Sequence, residues 1–487
     1  MIPEKGKLSL LYAFIPVVFL IICLSVNYYI FRDGTLDGSN QVILLLAAAI
    51  ASAIAIIHGT KWDKILNVIV ATIGKAMPAM LILLLIGSLS GTWLLSGVVP
   101  SMIYYGLQII NPKVFLLTAI VVSGLVSLAT GSSWSTIATI GVALFGIGKA
   151  LGFHEGMIAG AIISGAYFGD KMSPLSDTTN LAPAVAGTDL FTHVRYMMIT
   201  TTPSLLIAIT AFTVIGFFYN LDGVDANISG VLTSIKETFV ISPLLMIVPI
   251  ALIIVIIMKV PPIPSLLFGS LIAGIFAVIF QPNLIRHVAD GNMNYFVASY
   301  KSVLVSMYGD LSISSSNEVV NKLFSTSGMA GMLNTVWLIL SAMIFGGAME
   351  AGGMLKRITM MIISFAKSTG SLIFSTIVTS IFFNITASDQ YIAIVVPGKM
   401  FADSYRKRGL KPEVLSRTLE DSGTLTSVLV PWNSGGATQA RVLGVPTLTY
   451  LPFCFFNLVN PIVATIIGYS GYKIRKFKEG EVEETQN

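Results

Sequence analysis

The segment Gly169-Asp170-Lys171-Met172-Ser173-Pro174-Leu175-Ser176-Asp177-Thr178-Thr179-Asn180 interrupts an apolar stretch that runs from residue 156 to 187. The stretch is long enough to cross a membrane, but Pro174 removes a backbone donor and charged side chains stand on both sides of it. In hydrocarbon every backbone amide must be satisfied within the protein, so an interrupted helix survives only where it lines a cavity or packs on protein. This segment therefore predicts a broken membrane-crossing helix.

The composition of the whole chain agrees with a membrane protein. The 487 residues are 54% hydrophobic and 11% charged, with a mean hydropathy of +0.83. A soluble domain carries roughly 25% charged residues, so a water-facing surface cannot be built from this supply. The net charge of +5 lies in short loops between apolar segments, which argues against nucleic-acid binding. Cys23 and Cys454 lie inside apolar segments and are interpreted as buried hydrophobic residues.

Apolar segments of about 20 residues predict the membrane crossings. Those without interruption are 11–31, 40–58, 77–97, 196–218, 239–258, 262–281, 331–350 and 446–468. Two further crossings, 156–187 and 414–443, contain a polar break with proline, and two segments, 113–148 and 368–402, are predicted to be re-entrant hairpins with polar tips. The prediction is an all-α polytopic membrane protein in a lipid bilayer.

The basic residues predict the orientation of these crossings. Counting from a cytoplasmic N-terminus places Lys61, Lys64, the cluster 406–411 and the basic tail inside, as the positive-inside rule favours, whereas Lys113, Lys149, Arg286 and Lys301 do not follow the rule. The first segment lacks a small-residue cleavage site and is interpreted as a retained crossing. Both termini are therefore predicted to be cytoplasmic.

An internal repeat relates the two halves. Thr130-Gly131-Ser132-Ser133-Trp134 aligns with Thr386-Ala387-Ser388-Asp389-Gln390, 256 residues later, and Pro174 aligns with Pro431 at a spacing of 257. Five crossings per half is an odd number, so the second copy must enter from the opposite side of the membrane. This predicts an inverted-topology repeat of two five-helix halves, each with a re-entrant hairpin and a broken transmembrane helix.

The repeat also predicts how the chain is divided. Residues 1–218 are the first membrane repeat, 219–238 an external connector, 239–470 the second membrane repeat and 471–487 a cytoplasmic tail. The segment 282–330 is richer in Asn, Ser and Asp than its surroundings, and it is predicted to be an insertion outside the membrane.

The polar breaks supply the chemistry of a small-cation site. Glycine lets unwound backbone approach closely, proline opens the helical hydrogen-bond ladder, and Ser, Thr, Asn and Asp add hard oxygen ligands. Oxygen-lined breaks suit Na⁺ far better than a transition metal. The alternative for the hydroxyl groups is interhelical hydrogen bonding, which is common in membrane bundles.

Carboxylates inside the membrane are costly and mark functional sites. In a dry site one carboxylate can hold either a proton or Na⁺, which is the minimal device for exchange. Asp177, three residues after Pro174, is the first candidate, and Asp389 at the second hairpin tip is the second. A purely structural carboxylate bound to freed amides is the alternative for both.

Three more acidic residues are weaker candidates. Asp170 stands beside Lys171, which could hold it in an ion pair or share proton transfer with it. Glu420 and Asp421 lie close to the basic loop 403–417 and are expected to face the cytoplasm.

The run from Gly169 to Ala184 resembles the NhaC-type sodium/proton antiporter family. Supporting similarity lies at Thr130 to Ser135, at Gly187-Thr188-Asp189, at Leu419 to Thr424 and at Val430-Pro431-Trp432-Asn433. The resemblance implies Na⁺/H⁺ exchange across a bacterial inner membrane and a fold similar to the wider ion-transporter superfamily. It also implies a homodimer.

By the same analogy the two breaks form two cation regions. The first consists of Ser132, Ser133, Asp177, Thr178 and Asn180, and its mirror consists of Ser388, Asp389, Asn433 and Ser434. The second half has Asn433 and Ser434 near where the first has Asp177, so the two regions are not equivalent.

Two transport hypotheses follow. The first is Na⁺/H⁺ antiport by alternating access, with the two cations competing at intramembrane carboxylates and no cofactor. The second is Na⁺- or H⁺-coupled exchange of a small organic anion, because the same family contains a malate/lactate exchanger. In that case Lys171 or Arg441 would hold the anionic group, and Arg441 lining the central cavity would favour this hypothesis.

An intramembrane enzyme is not expected. The chain has no Walker-type glycine loop and no HExxH motif, and the repeat supplies no His or Lys partner that would activate Ser132.

Overall fold

The computed structural model describes residues 8–31, 38–220, 224–290, 293–315, 321 and 324–477. These residues are almost entirely helical, which confirms the all-α polytopic prediction. The described strands are β1 (Leu311–Ser312) and β2 (Ser325–Thr326), which pair antiparallel with Leu311 opposite Thr326.

The helices of the first half follow the predicted order. They are α1 (Leu10–Phe31), α2 (Ser39–Ile57), α3 (Trp62–Leu95), α4 (Val98–Ile109), α5 (Phe115–Thr130), α6 (Ser133–Thr136), α7 (Val142–Ala150), α8 (Glu155–Met172), α9 (Asp177–Ala186) and α10 (Leu190–Phe218). A 3-10 turn, Pro112–Val114, precedes α5, and a π-helical segment, Ile137–Gly141, joins α6 to α7.

The rest of the chain continues the helical bundle. Its helices are α11 (Val224–Thr238), α12 (Ile247–Ile257), α13 (Pro262–Phe280), α14 (Pro282–Ala289), α15 (Tyr295–Tyr308), α16 (Leu333–Ala351), α17 (Met354–Ser364), α18 (Thr369–Thr386), α19 (Gln390–Lys407), α20 (Pro412–Leu419), α21 (Leu425–Ser427), α22 (Ser434–Leu443), α23 (Thr447–Tyr450) and α24 (Phe455–Ser470). The π-helical segment Glu420–Thr424 joins α20 to α21, and 3-10 turns occupy Pro243–Met246, Ala330–Met332 and Leu451–Phe453.

Eight helical segments among the described residues are long and apolar enough to cross a membrane, or up to ten if each of two bent pairs forms one crossing. The eight are Leu10–Phe31, Ser39–Ile57, Trp62–Leu95, Pro112–Thr130, Leu190–Phe218, Pro262–Phe280, Ala330–Ala351 and Thr369–Thr386. The bent pairs are Ile228–Thr238 with Pro243–Ile257, at 92°, and Thr447–Phe453 with Phe455–Ser470, at 57°. The prediction that 446–468 has no interruption is therefore wrong, because the helix breaks at Cys454.

Two lengths differ from the sequence prediction. The crossing predicted at 77–97 is only the C-terminal part of the 34-residue helix α3, because Lys64 and Lys75 lower the hydropathy without ending the helix. The first arm of each predicted hairpin is also long enough to cross the membrane by itself.

The helices that follow the two breaks have matching ends. α9 and α22 are each ten residues long and are capped by Ser176 and Asn433, which stand 257 residues apart. Both helices end at a glycine in the left-handed region, Gly187 with φ 86° and Gly444 with φ 68°, again 257 apart. The repeat read from the sequence thus extends to local backbone conformation, while the inverted orientation of the halves stays a prediction.

The two hairpin tips match with one added residue. α5 ends at Thr130 before Gly131 with φ 71°, whereas α18 ends at Thr386, and after Ala387 it is Ser388 that has φ 57°. The extra residue explains why the repeat spacing changes from 256 to 257 at this point.

Packing crosses between the halves. α2 packs on α16, and α13 packs on α3, so the second predicted crossing of each half contacts the third predicted crossing of the other. Within the segment 282–330, α15 packs on α3, where Gly91 lies against the Ser306 backbone. Its placement outside the membrane stays a prediction, as does the external position of the connector. Asp222 of the connector and residues 478–487 of the tail lie outside the described residues.

Candidate functional site

The first break is held open by its own side chains. α8 ends at Met172, and α9 begins after Ser176, whose hydroxyl accepts from the Thr179 amide at 3.4 Å. Asn180 Nδ2 donates to the carbonyls of Pro174, at 2.9 Å, and of Ser176, at 2.7 Å. Asn180 thus satisfies the Pro174 carbonyl that the break frees, which is a structural use of a predicted cation ligand.

Asp170 ties the first hairpin tip to the first break. Its Oδ2 accepts from the Ser133 amide at 3.1 Å and from the Ser133 hydroxyl at 2.6 Å, and its side chain is buried. Its neighbour Lys171 forms an ion pair with Asp421 instead. Adjacency in sequence misled here, because successive residues on a helix point in different directions.

A cavity of about 920 Å³ lies at the first break. From the predicted first cation region it is lined by Ser132, Asp177, Thr178 and Asn180. Asp177 is exposed to it, whereas Ser133 is buried behind the tip. The structure therefore brings most of the first region to one chamber.

Other parts of the chain complete the cavity wall. These residues are Lys75 and Pro78 of α3, Lys259 before α13, and Gln390 with Tyr391 of α19. Sequence analysis missed them. A lysine inside a long apolar helix was an available signal, but the predicted crossing began at residue 77 and so left Lys75 outside it.

The second region lies beside this cavity but does not line it. Asp389 is 2% exposed; its Oδ1 accepts from the Ile392 amide at 3.0 Å, and Ser434 Oγ lies 3.4 Å from its Oδ2. Asn433 Nδ2 donates to the Asn384 carbonyl at 2.9 Å. The Ser388 carbonyl accepts from the Ser434 amide at 2.9 Å, while its buried hydroxyl has no hydrogen-bond partner among the described residues.

The two regions carry the same groups at exchanged positions. Ser132 and Asp389 are both helix N-caps at the hairpin tips, 257 residues apart, and Asp177 and Ser434 both begin the helix after the break, also 257 apart. Each region therefore combines one carboxylate and one hydroxyl. The carboxylate lies on the broken crossing in the first half and on the hairpin tip in the second.

A buried network of charged side chains connects the two helical segments that lead into the breaks. Asp421 Oδ1 pairs with Lys171 and accepts from Thr200 Oγ1 at 2.9 Å and Asn460 Nδ2 at 2.7 Å. Arg417 Nε lies 3.6 Å from Asp421 Oδ2, and all three charged side chains are fully buried.

The expectation that Glu420 and Asp421 face the cytoplasm is wrong, because both are fully buried. Glu420 Oε1 accepts from Thr178 Oγ1 at 3.0 Å, one residue from Asp177. Nearness to the basic loop was misleading because the chain turns inward at α20. The i,i+4 spacing of Arg417 and Asp421 was a usable signal for a charged pair.

Arg441 does not line the cavity. Its side chain is exposed and lies near Gly331, just before α16. Among the described residues no group of three or more His, Cys, Asp or Glu side chains is placed to hold a metal ion. The oxygen-rich breaks are chemically suited to a hard, small cation carried as substrate.

Comparison with known proteins adds independent information. The model of a protein family described as the Na⁺/H⁺ antiporter family matches residues 165–472. The matched range includes both breaks, the second hairpin and the buried charge network.

Curated relatives cover nearly the whole chain. The malate-2H⁺/Na⁺-lactate antiporter of Bacillus subtilis (strain 168) is 36% identical over 98% of this chain and 98% of its own length. The Na⁺/H⁺ antiporter NhaC of the same organism is 36% identical over 88% of this chain and 92% of its own. The arginine/ornithine antiporter ArcD of Halobacterium salinarum is 33% identical over 97% and 94%.

Proposed function

Since this chain belongs to the Na⁺/H⁺ antiporter family, we propose that it exchanges Na⁺ for H⁺ by alternating access, with both cations using intramembrane carboxylates. One observation carries the proposal. Asp177 faces the cavity and Asp389 is buried beside it, and within the described ranges no Lys, Arg or His nitrogen lies within 4.0 Å of either carboxylate.

The physical argument concerns charge compensation. A carboxylate away from water is costly unless it is neutralised or paired. A proton or Na⁺ removes that cost, and the two cannot both do so on one carboxylate, so their competition couples the two fluxes. Oxygen ligands stand next to each acid: Thr178 follows Asp177, and the unpartnered Ser388 hydroxyl precedes Asp389.

Alternating access requires that the tips and breaks move as units. Ser133 and Asp170 join the first tip to the first break, and Ser427 Oγ donates to Gln390 Oε1 at 3.2 Å at the corresponding positions of the second half. In the proposed cycle H⁺ enters and Na⁺ leaves across a bacterial inner membrane, with both termini cytoplasmic and no cofactor. A homodimer belongs to the same set of predictions.

The test is solute-resolved flux in proteoliposomes. Asp177→Asn removes the charge but keeps the size, so Na⁺-dependent proton flux is expected to fall at least about 100-fold, in line with the loss of an essential proton-transfer group. Asp310→Asn is the matched control, because Asp310 is exposed and does not line the cavity. Exchange at the wild-type rate in Asp177→Asn protein would remove this residue from the mechanism.

The size of the cavity favours a second candidate function. A water molecule has a share of about 30 Å³ of liquid volume, whereas pockets for organic ligands span about 300–1,000 Å³. The cavity of about 920 Å³ belongs to the second class, and Lys75 and Lys259 line it. The candidate is Na⁺- or H⁺-coupled exchange of a small organic anion, and Na⁺/H⁺ flux that requires a carboxylate on one side of the liposome would support it.

A further inference from the structure

One face of α3 runs through two cavities. Lys75, Pro78, Ala79 and Ile82, at helical spacings of three, four and seven residues, line the chamber at the first break. The N-terminal continuation of this face lines a separate cleft of about 430 Å³, and Lys75 lines that cleft as well. Lys75 therefore stands at the boundary between the cleft and the chamber.

Lys75 is an unusual residue for this position. It lies well inside a 34-residue helix that is apolar enough to span a membrane, where an ammonium group is costly without a partner. In the part of the chain that the structure describes, no carboxylate oxygen lies within 4.0 Å of its Nζ. Lys75 acts on the buried Asp389 from beyond this distance, and the described residues form no direct ion pair with it that would keep its ammonium group from contacting a solute anion.

The surroundings of Lys75 suit a small carboxylate. The wall beside it is apolar along Pro78, Ala79 and Ile82, which fits a short carbon skeleton. Trp134 also lines the chamber and adds an aromatic surface to its wall. Na⁺ is repelled by an ammonium group and finds no ligand on an apolar wall.

The cleft leads an anion towards this point. Its charged residues are Lys61, Lys64 and Lys75 against Asp63 and Glu350, which leaves an excess of positive charge. Since three of its five charged side chains are positive, the cleft favours an anion over a cation.

We propose that Lys75 is the carboxylate-binding residue of the chamber at the first break. A small organic acid anion would pass from the cleft into this chamber along the α3 face. The proposal deepens the second candidate function and rests on it for the claim that the chamber is a transport path. Neither Lys171, which is engaged by Asp421, nor Arg441, which lies away from the chamber, takes this role.

The test measures carboxylate binding separately from transport. Purified protein is titrated with L-malate and with L-lactate in calorimetry, with and without Na⁺, for the wild type, Lys75→Gln, Lys75→Arg and the exposed control Lys113→Gln. Loss of a charge-assisted hydrogen bond should weaken binding about tenfold or more in Lys75→Gln. Lys75→Arg should lose less, and Lys113→Gln should match the wild type.

A second measurement needs no variant, in case Lys75→Gln protein elutes as aggregate in size-exclusion chromatography. Neutral lactamide should compete with lactate for the wild type at least about tenfold less well than lactate itself. Equal competition by lactamide, equal binding by Lys75→Gln and wild type, or no binding of either carboxylate by the wild type would overturn the proposal. Carboxylate binding that depends on Lys75 without Na⁺- or H⁺-linked flux would overturn the transport function and leave the site in place.

Discussion

The two breaks share a backbone plan but differ in how open they are. At the first break Asp177 and Asn180 are exposed to a large chamber, whereas at the second break Asn433, Ser434 and Asp389 are buried. The helices that follow have the same length and the same left-handed glycine at the end. A repeated scaffold therefore does not imply a repeated site, because the side chains decide whether the gap is filled or left open.

The filling of the second break can be traced to amides. Asn433 joins Asn384, and Asn384 Nδ2 donates in turn to the Gly423 carbonyl at 2.8 Å and to Thr426 Oγ1 at 2.9 Å. At the first break the corresponding cap is Ser176, whose hydroxyl is too short to bridge in this way. The longer amides close the second gap, and the shorter hydroxyl leaves room for the chamber.

The largest expected effect concerns the ion pair that connects the two breaks. Asp421→Ala leaves Lys171 and Arg417 buried without their carboxylate, so the free energy of unfolding should fall by about 3–5 kcal/mol. Thermal or denaturant unfolding in detergent measures it.

The matched control is an exposed ion pair in the first half. Lys149 and Glu155 lie 2.7 Å apart and are partly solvated, so Glu155→Ala should cost less than about 1 kcal/mol. Similar losses for Asp421→Ala and Glu155→Ala would show that the buried network does not hold the breaks together.

A smaller effect tests the contrast between a filled and an open break. Asn433→Ala removes buried hydrogen bonds to Asn384 and should lower the free energy of unfolding by about 1–3 kcal/mol. Asn180→Ala removes one exposed and one partly buried hydrogen bond from a side chain that water can reach, and it should cost less than about 1 kcal/mol. Unfolding in detergent measures the stability of both variants. A larger loss of stability for Asn180→Ala would reverse the assignment of which break is filled and which is open.

The smallest effect concerns the hairpin tips, where Gly131 and Ser388 share the left-handed region. Ser388→Gly relieves a φ of 57° and removes a hydroxyl that has no hydrogen-bond partner among the described residues, so the free energy of unfolding should rise by up to about 1 kcal/mol. Na⁺ binding measured on the same protein separates this gain from the loss of a cation ligand.

The opposite substitution at the first hairpin tip, Gly131→Ser, completes the comparison with Ser388→Gly. Gly131→Ser places a side chain at φ 71°, where a Cβ would approach Leu175, and should cost about 1–2 kcal/mol. Ser388→Gly that destabilises the protein as much as Gly131→Ser would mean that the second tip depends on the Ser388 side chain. An undiminished Na⁺ affinity in Ser388→Gly would remove its hydroxyl from the cation site.

The sequence predicted the breaks themselves well. The first break falls at residues 173–176, within the quoted segment, and the second separates α21 from α22 around Pro431. Proline, glycine and the hydropathy pattern act locally, so their effects can be read along the chain without knowing the neighbours. The same holds for the repeat, which is a property of spacing.

The surroundings of each charged residue needed the tertiary structure. Glu420 and Asp421 stand beside a basic loop in sequence but are buried, and Lys75 lies in a long helix but lines a chamber. Whether a charge is solvated, paired or exposed to a cavity depends on helices hundreds of residues away. Asp421 meets Lys171 across 250 residues, a contact that no local pattern encodes.

By itself, then, the sequence determined that this chain is an all-helical membrane protein in which two helical segments are interrupted by polar breaks. The fold decided that one break opens into a chamber and the other is filled. It also decided that Lys171 forms an ion pair within the buried network while Lys75 lines the chamber. Hydrophobic period and helix breakers are additive along the chain, whereas burial and charge pairing are set by which helices pack together.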